Sequence, residues 1–528
     1  MLAKYISYKE THSFSTIVLD YLAGKDVLQP FYHYRPDITG FKQAIARENR
    51  DLNRELLVEV LQRQYAGMAV NSQVAENIQL LADKKTFTIT TGHQLNIFTG
   101  PLYFIYKIVT AINLAKELKQ EFPEYNFVPL YWMATEDHDF EEINHVRIED
   151  KMLRWEKEAA GATGKLNTKD IQEVLSTYKG YLGISENGEN LAALVEKAYS
   201  GHQTLVAATR ELVNGLFGKQ GLICLDADER SLKQQFAPIV FKDITEQHSF
   251  SNINAANEAM EAIGYKPQVN PREINFFYMT DHLRERIIPV GDEYQVNNTS
   301  ISFTKETLKQ EIANFPERFS PNVVMRPLYE ELILPNLAYI GGGAEVTYWL
   351  QLKSNFDFYN IPYPVLLLRN SAMVIDEQSA RKMHILGINH KDIFLTNIEL
   401  KNDWIKTHVN LELSLEDERR SITALFDHIK LAAYKIDKTL SPSADSAKTK
   451  AIKLIYNLEK KMLRAEKRKH VTSLNQIDGL KNRLFPTGVL QERVLNIAPL
   501  YVLYGDDFLQ SLLDSFQPLK LQFTVLYA

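Results

Sequence analysis

Residues 127–145 of the chain are FVPLYWMATEDHDFEEINH. The apolar run at the start of this stretch, Phe127–Tyr131, predicts a buried strand. Three acids and a histidine follow at residues 136–139, shortly after the strand ends. In open α/β sheets, ligands bind at the carboxyl ends of the strands. The stretch therefore predicts an α/β fold with a site at this strand end, where carboxylates and imidazoles move protons, hold an amine or ligate a metal.

A second predicted strand lies upstream, at residues 86–90, where apolar side chains alternate with threonines. Residues 91–94, TGHQ, are predicted to interrupt it, and residues 99–101, TGP, to open a helix with proline in its first turn. Apolar residues then recur at near-helical spacing until the next strand. We therefore predict one βαβ unit over residues 86–148, with a right-handed crossover if its strands are parallel neighbours.

The composition argues against several classes of protein. The chain has 528 residues, of which 45% are hydrophobic and 24% charged, as in ordinary globular proteins. Its net charge of −6 argues against nucleic-acid binding, which needs a basic surface. No signal peptide or bilayer-spanning apolar run is visible, so we expect a cytoplasmic protein without a membrane partner. Cys224 is the only cysteine, which rules out an intrachain disulfide and fits a reducing compartment.

The C-terminal part of the chain has a different pattern. Two runs of apolar residues advance in steps of three and four, which predicts two helices that pair through these side chains. The intervening Ser441–Asp445 is predicted to break the pattern and form a short loop, giving an antiparallel coiled-coil hairpin. The two runs are Ile422, Leu425, Ile429, Ala432, Ile436 and Leu440, then Ala451, Ile455, Leu458, Met462 and Ala465.

The acidic cluster after the strand has two interpretations. Aspartate and glutamate often open a helix by accepting hydrogen bonds from its free amides. Three acids and a histidine exceed what a cap needs, which favours a catalytic site of Asp137, His138 and Asp139. In an extended chain Asp137 and Asp139 would lie on one side and His138 on the other.

Candidate binding residues lie in several other segments. Gly92 lets the backbone approach a ligand, and the amides after residues 99–100 attract an anion at the helix start. The glycine triplet 341–343 forms either an anion-binding nest or a tight turn, and the sequence supports both equally. The predicted catalytic residues are His93, Asp137, His138 and Asp139, and the predicted substrate-binding residues are Thr91, Gly92, Gln94, Thr99, Gly100, Asn322, Arg326, Gly341, Gly342 and Arg369.

Arginine and asparagine at three of these positions leave alternatives open. Arg326 and Arg369 suit bidentate binding of a carboxylate, or each forms a structural ion pair. Asn322 orients a substrate amine, or it caps a turn.

Motifs spread over most of the chain resemble one known family. They are Gly92-His93-Gln94, Thr99-Gly100-Pro101-Leu102-Tyr103, Tyr106-Lys107, Glu136-Asp137-His138-Asp139-Phe140, Ile143-Asn144-His145, Ser320-Pro321-Asn322-Val323, Arg326-Pro327, Tyr339-Ile340-Gly341-Gly342-Gly343 with Glu345, and Leu490-Gln491-Glu492-Arg493. In this order they are similar to the bacillithiol-biosynthesis cysteine-adding enzyme family. The resemblance implies an α/β fold with a Rossmann-like parallel-sheet core related to nucleotidyl transferases. It also implies connective-peptide insertions and a C-terminal α-helical antiparallel coiled coil that dimerises.

Changes of pattern along the chain predict seven segments around this core. They are residues 1–148, the N-terminal helices and first half of the Rossmann-like core; 149–219, a helical insertion; 220–261, a core segment; 262–318, a small mixed insertion; 319–412, the second half of the core; 413–485, the coiled-coil hairpin; and 486–528, a C-terminal segment that packs on the core.

The resemblance implies that L-cysteine is joined to glucosaminyl-malate through an amide bond, the last step of bacillithiol biosynthesis. The cysteine carboxyl must first be activated, so ATP or ADP is an expected cofactor, although no standard nucleotide motif is present. Asp137 or His138 is the candidate general base, or holds the cysteine ammonium. Thr91, Gln94 and the amides after Thr99 would stabilise developing charge, and Arg326 would orient the malate.

Two other functions stay open. The first is a metal-dependent hydrolase that uses Asp137, His138, Asp139 and His145, although no strong ligand spacing supports it and no metal-ligand set is identified. The second is a non-enzymatic dimeric scaffold that recruits partners through the coiled coil, which leaves the polar strand ends unexplained.

Overall fold

The computed structural model of the chain describes residues 1–47, 51–408 and 414–528. It contains two compact units. The first comprises residues 1–9, 13–373 and 489–526, and the second comprises residues 10–12, 374–488 and 527–528. The expected boundary between core and coiled coil, at residues 412 and 413, lies outside the described residues.

The strands of the described chain are short, and most of them belong to the first unit. They are β1 (Leu2–Ser7), β2 (Thr86–His93), β3 (Asn126–Met133), β4 (His145–Ile148), β5 (Lys151–Arg154), β6 (Ile223–Asp226), β7 (Phe276–Thr280), β8 (Leu283–Val290), β9 (Glu293–Val296), β10 (Ser302–Phe303), β11 (Phe319–Pro321), β12 (Asn336–Gly341), β13 (Val365–Leu368), β14 (Ala372–Ile375) and β15 (Gln522–Tyr527).

Helices make up most of the remaining regular structure. They are α1 (Thr16–Ala23), α2 (Ile38–Arg47), α3 (Arg54–Gln64), α4 (Ser72–Leu80), α5 (Leu102–Glu121), α6 (Phe140–Ile143), α7 (Gln172–Leu182), α8 (Glu186–Gly201), α9 (Leu205–Phe217), α10 (Arg230–Glu246), α11 (His248–Ala262), α12 (Lys305–Asn314), α13 (Arg326–Ile333), α14 (Gly343–Tyr359), α15 (Glu377–Leu386), α16 (Asn397–His408), α17 (Glu416–Ile436), α18 (Ser441–Lys469), α19 (Val471–Leu484), α20 (Ala498–Tyr504) and α21 (Asp506–Ser515). In the described ranges every helix is too short or too polar to span a lipid bilayer.

The core of the first unit is a five-stranded parallel sheet in the order β13-β12-β2-β3-β6. The predicted strands of the βαβ unit are therefore confirmed as parallel neighbours, and the predicted α/β class with a parallel-sheet core is confirmed. The relation to nucleotidyl transferases stays a prediction. β2 and β3 are buried along almost their whole length, as in parallel sheets covered on both faces.

The predicted end of β2 is wrong. The strand continues through residues 91–93 because Gly92 pairs with Trp132 and His93 with Met133 of β3. The TGHQ segment is thus the last part of a strand, and its side chains emerge at the carboxyl edge of the sheet.

One apolar cluster holds the sheet against its helices. Ile89 of β2, Ile340 of β12 and Leu114 of α5 belong to it, and all three are fully buried. Burying such side chains contributes about 1.5–3 kcal/mol each, so this cluster stabilises the packing of the sheet against α5. The neighbouring helix α5 starts one residue later than predicted, with Pro101 as its N-cap.

The first unit also contains a second five-stranded sheet, in the order β10-β9-β8-β7-β11, which is antiparallel throughout. It lies within and just after the segment 262–318 that was predicted as a small mixed insertion. The segment 149–219, predicted as helical, contains α7, α8 and α9 but begins with β5, which pairs with β4.

The second unit contains the predicted coiled coil. Three ion pairs join α17 to α18, and their residue numbers fall in one helix as they rise in the other, so the two helices are antiparallel. They are Arg419 with Glu459, Asp427 with Lys448 at 2.8 Å, and Lys430 with Asp445 at 2.6 Å. The expected loop at Ser441–Asp445 is wrong, because these residues form the first turn of α18, where Pro442 is tolerated.

Much of the predicted apolar seam of the hairpin faces solvent. Leu425 is 57% exposed, Ile436 81% and Leu458 49%, and no described residue of α17 is buried. The predicted second half of the core was residues 319–412. In the structure this stretch is divided, because the first unit includes residues up to Met373, whereas α15 and α16 belong to the second unit.

Candidate active site

A cavity of about 870 Å³ lies in the first unit. Its walls come from the carboxyl ends of β2, β3 and β12, from the starts of α13 and α14, and from β7 and β8 of the antiparallel sheet. Nine of the predicted site residues line it: Gly92, His93, Gln94, Asp137, His138, Asn322, Arg326, Gly342 and Arg369. The cavity therefore brings together strand ends that are far apart in the sequence.

The predicted acidic cluster divides among three environments. Asp137 and His138 line the cavity, whereas Asp139 is exposed at the start of α6 and does not. Glu136 is buried beside Lys233, whose Nζ lies 2.5 Å from Glu136 Oε1. The alternation expected for an extended chain does not apply, because the chain turns at residues 135–136 instead of continuing as a strand. The structure places Asp139 outside the cavity, and its catalytic role stays a prediction.

The other predicted residues absent from the cavity hold the fold together. The Thr91 hydroxyl donates to the carbonyl of Ile340 at 2.9 Å, so it joins β2 to β12. Gly341 is the last residue of β12 and pairs with Leu368 of β13. Both residues therefore have a structural role, and their predicted role in substrate binding stays a prediction.

At Thr99 and Gly100, where an anion site was predicted, backbone groups are engaged by other parts of the chain, and the anion site stays a prediction. Both residues have positive φ, 73° and 59°, and Asn496 Nδ2 donates to the Gly100 carbonyl at 2.7 Å. The amide of Leu102, which was expected to be free for a ligand, donates to the carbonyl of Leu495 at 2.8 Å. The helix start is therefore closed by a distant segment of the chain.

Asp137 is an ionised carboxylate in a mostly buried position. Gln94 Nε2 donates to its Oδ2 at 2.9 Å, and the amide of His138 donates to its Oδ1 at 2.8 Å. Burial by itself would raise the pKa of Asp137. The His138 side chain, the charge of Arg326 and the hydrogen bond from Gln94 outweigh burial and hold that pKa well below its usual range. A carboxylate with so low a pKa is a weak base and a good partner for a cation.

His138 is held by Arg284. Arg284 Nη1 lies 2.6 Å from His138 Nδ1, and because a guanidinium only donates, this ring nitrogen accepts. Burial, followed by the charge of Arg326, lowers the pKa of Arg284 to about 10. The guanidinium also stacks on Phe277, 4.0 Å from the ring centroid. His138 is therefore oriented by a buried arginine that the sequence analysis did not identify.

His93 contacts aromatic rings on two sides, with centroids 5.3 Å from Tyr103 and 5.2 Å from Phe104. Burial and the charges of Lys107 and Arg369 lower the pKa of His93 well below its usual range, so the ring is neutral at physiological pH. Its Nε2 is buried, with no hydrogen-bonding partner in the described part of the chain. A neutral imidazole here can make one hydrogen bond to a ligand, but it brings no positive charge.

The glycine triplet forms a tight turn. The Gly342 amide donates to Glu345 Oε2 at 2.8 Å and so closes the start of α14. Lys107 Nζ lies 2.5 Å from the same oxygen and donates to the Gly92 carbonyl at 2.8 Å. This interaction joins the ends of β2 and β12, and the anion-binding nest is not formed by the Gly342 amide.

Arg369 and Asn322 have structural partners as well as a place on the cavity wall. Arg369 Nη2 lies 2.7 Å from Glu492 Oε1, while its Nε has no partner within the described ranges. Asn322 Oδ1 accepts from the Val324 amide at 2.9 Å, and its Nδ2 donates to Asn275. Asn322 therefore caps a turn, and its freedom to bind a substrate amine is limited.

Arg326 is different. It is half-buried on the cavity wall at the start of α13, and in the part of the chain described here its guanidinium forms no hydrogen bond or ion pair. A guanidinium held in this way is available to bind a carboxylate through two parallel hydrogen bonds.

The sequence analysis missed Glu330, one turn after Arg326. It lines the cavity and is 3% exposed, and its Oε1 has no hydrogen-bonding partner in the described residues. Burial raises the pKa of Glu330 well above its usual range, and the carboxyls of Glu331 and Glu345 raise it further. The available signal was a pair of glutamates, at 330 and 331, in a helix whose other residues are largely apolar.

The cavity carries an excess of positive charge. Six arginines and one lysine face three carboxyl side chains: Arg272, Arg284, Arg286, Arg326, Arg369, Arg493 and Lys107, against Asp137, Glu330 and Glu345. Such a cavity attracts a ligand with several negative charges.

The donor set of the hydrolase alternative does not assemble. His145 Nδ1 lies 3.2 Å from the Glu141 carbonyl, and neither His145 nor Asp139 lines the cavity. Among the described residues, no three His, Cys, Asp or Glu side chains are placed to share a metal ion.

Comparisons with known proteins agree with the fold and the motifs. Residues 1–370 match the family model "Bacillithiol biosynthesis BshC, N-terminal Rossmann-like domain", and residues 372–528 match its "C-terminal coiled-coil domain". A protein of Flavobacterium psychrophilum is 44% identical over 99% of this chain and 98% of its own length. One of Flavobacterium johnsoniae is 43% identical over 99% of each chain.

A further relative, from Christiangramia forsetii, is 43% identical over 99% of this chain and 98% of its own length. All three carry the name "Putative cysteine ligase BshC". The predicted resemblance is confirmed, and the chain belongs to the bacillithiol biosynthesis BshC family.

Proposed function

We propose that the protein joins the carboxyl group of L-cysteine to the amine of glucosaminyl-malate, as the last step of bacillithiol biosynthesis. The observation that carries the proposal is the charge pattern of the cavity, where seven cationic side chains surround one strongly ionised carboxylate, Asp137. Malate brings two carboxylates, and cysteine brings an ammonium group. The names of the relatives support the same activity.

Within this proposal Asp137 binds the ammonium group of cysteine. Its carboxylate is ionised at any physiological pH and is held in place by Gln94 and by the His138 amide. An ammonium beside it gains a charge-assisted hydrogen bond in a mostly buried position. Arg326 binds a malate carboxylate, because it is the arginine on the cavity wall with a free guanidinium on the same helix as Glu330.

A carboxylate does not react with an amine until it carries a leaving group. We therefore propose ATP as the activating cofactor, through an acyl phosphate or an acyl adenylate of cysteine. The excess of arginines supports this, since phosphate oxygens and carboxylates suit the same bidentate donors.

We also propose that two copies of the chain pair through the coiled coil. The support is the uncovered apolar stripe on α17, where Leu425 is 57% exposed and Ile436 81% exposed. Apolar side chains at this spacing on one helix face favour a second helix as partner. A thiol product is stable in a reducing compartment, which supports a cytoplasmic location.

The test is a direct assay of the purified protein with glucosaminyl-malate, L-cysteine and Mg-ATP, in which bacillithiol is followed by mass spectrometry. We expect product only when the nucleotide is present, together with AMP or ADP, which also identifies the activated species. Absence of product in both mixtures would contradict the proposal. If none of the three small molecules binds in a calorimetric titration, the scaffold alternative is favoured instead.

A further inference from the structure

Among the described residues, Glu330 is the one carboxyl side chain on the cavity wall with an oxygen that lacks a hydrogen-bonding partner. It is 97% buried, and Oε1 has no hydrogen-bonding partner in the described residues. The other two carboxyls there are bound, Asp137 by Gln94 and Glu345 by Lys107. Burying an unpaired polar group destabilises the fold, so such a group in an active-site cavity suggests that a ligand supplies the partner.

The surroundings of Glu330 suit a proton acceptor. Charged and titratable groups act on it from four elements. They are Glu331 and Arg326 on α13, Lys107 on α5, Glu345 and Tyr348 on α14, and Tyr339 on β12. Burial and the acidic neighbours raise the pKa of Glu330, and they outweigh Arg326 and Lys107, which lower it. Once ionised, a carboxylate of raised pKa is a stronger base than an ordinary one.

The two candidates from the sequence are less suited to accept this proton. The pKa of Asp137 is held well below its usual range, so this carboxylate has little affinity for a proton. The Nδ1 of His138 already accepts a hydrogen bond from Arg284 at 2.6 Å. Neither side chain is free to take the proton that amide formation releases.

The position of Glu330 on α13 also fits the substrate. In glucosaminyl-malate the amine is on the sugar carbon next to the one that carries malate. Arg326 and Glu330 are four residues apart on one helix, and side chains at that spacing are neighbours about 5–6 Å apart. A malate carboxylate at Arg326 therefore brings the amine beside Glu330.

We infer that Glu330 is the general base that deprotonates the substrate amine, an inference that rests on the proposed function. The neutral amine nitrogen attacks the acyl carbon of the activated cysteine, and a C–N bond forms. One N–H proton passes to the Glu330 carboxylate. The C–O bond to the phosphate group breaks, and its electron pair leaves on the phosphate oxygen.

The test compares two nucleophiles with wild-type protein and Glu330→Gln. Hydroxylamine is small and uncharged at neutral pH, so it captures activated cysteine as a hydroxamate without help from a base. The sugar amine needs the base. We expect Glu330→Gln to form hydroxamate within about twofold of wild type but to lose about 100-fold or more in amide formation.

Each outcome of this test either supports or overturns the role of Glu330 as general base. Equal loss of hydroxamate and amide in Glu330→Gln, or unchanged amide formation, would overturn the inference. If the wild-type protein, given L-cysteine and Mg-ATP, forms neither hydroxamate with hydroxylamine nor amide with glucosaminyl-malate, the proposed function itself fails, and the inference fails with it.

Glu331→Gln is the matched control and a second, independent test. Glu331 is equally buried on the same helix, but it does not line the cavity and its Oε1 accepts from Asn336 at 2.5 Å. Because Glu331 raises the pKa of Glu330, its removal should shift the rise of the amide-forming rate to lower pH with little change in the maximal rate. A pH profile that is unchanged in Glu331→Gln would overturn the inference even if Glu330→Gln does not fold.

Discussion

Asp137 and Glu330 are two carboxyl groups on the wall of one cavity, and their surroundings shift their pKa values in opposite directions. Asp137 receives hydrogen bonds from Gln94 and His138 and faces Arg326, so its pKa falls. Glu330 is buried beside two other carboxyls, so its pKa rises. When two titratable groups in one site have pKa values shifted apart, one commonly binds charge and the other transfers a proton. Residue type alone therefore does not assign a role to a carboxyl side chain in this cavity.

The largest expected effect, outside the Glu330 variant, is at Asp137. Asp137→Asn removes the negative charge but keeps the side-chain shape, so the cysteine ammonium loses its partner. Losing one partner of a mostly buried charge pair costs about 2–5 kcal/mol, and we expect the KM for cysteine to rise by about 100-fold. Steady-state kinetics at saturating glucosaminyl-malate measures this. Asp139→Asn is the matched control, because Asp139 is exposed and lies outside the cavity.

A smaller effect is expected at Arg326. Arg326→Ala removes the free guanidinium, and we expect the KM for glucosaminyl-malate to rise by about 30-fold while the KM for cysteine changes little. Arg318→Ala is the control, because Arg318 binds Glu311 at 2.6 Å and does not line the cavity. An equal rise in both KM values would show that Arg326 supports the whole cavity and does not bind malate.

The two carboxyls should also respond oppositely to pH in thermal unfolding. Folding raises the pKa of Glu330, so Glu330 favours unfolding increasingly as pH rises above the ordinary carboxyl range. Glu330→Gln should therefore melt roughly a degree or two higher than wild type at pH 8, with the difference vanishing near pH 4.

For Asp137 the sign is reversed. Folding lowers its pKa, so its contribution to stability is present above the ordinary carboxyl range and is lost as pH falls below it. Asp137→Asn should melt lower than wild type at pH 7, and the difference should shrink on acidification. Scanning calorimetry of Glu330→Gln between pH 4 and pH 8, and of Asp137→Asn from pH 8 down to about pH 2, checks this pair. Shifts of the same sign in the two variants would contradict the opposite pKa changes.

The smallest effect on the chemistry is expected in the coiled coil. Ile436→Lys places a charge on a position of α17 that is 81% exposed, and we expect it to convert a dimer to a monomer in sedimentation velocity. Ile398→Lys is the control, since Ile398 is 71% exposed but lies on α16, outside the stripe. Amide formation should stay within about twofold in both variants, because no described residue of the second unit lines the cavity.

The parallel strands and the helical hairpin could be predicted because their signals are local. Apolar runs with β-branched residues identified β2 and β3, and steps of three and four identified α17 and α18. Asp137 and His138 could be predicted because they directly follow a buried strand whose end forms the sheet edge.

The failures come from contacts between distant parts of the chain. The amide of Leu102 looked free, but Leu495 satisfies it from almost four hundred residues away. Thr91 and Gly341 looked like loop residues, although pairing with neighbouring strands makes them structural. Glu330 was missed because its significance depends on Glu345 and Lys107, which reach it from other helices.

The most direct measurement is a crystal structure of the protein with glucosaminyl-malate bound. Our account predicts the ligand in this cavity, with a malate carboxylate on Arg326 and the amine nitrogen about 2.6–3.2 Å from a carboxyl oxygen of Glu330. A ligand bound outside the cavity would contradict the proposed active site. A ligand inside it whose amine contacts Asp137, and not Glu330, would contradict the division of roles between the two carboxyls.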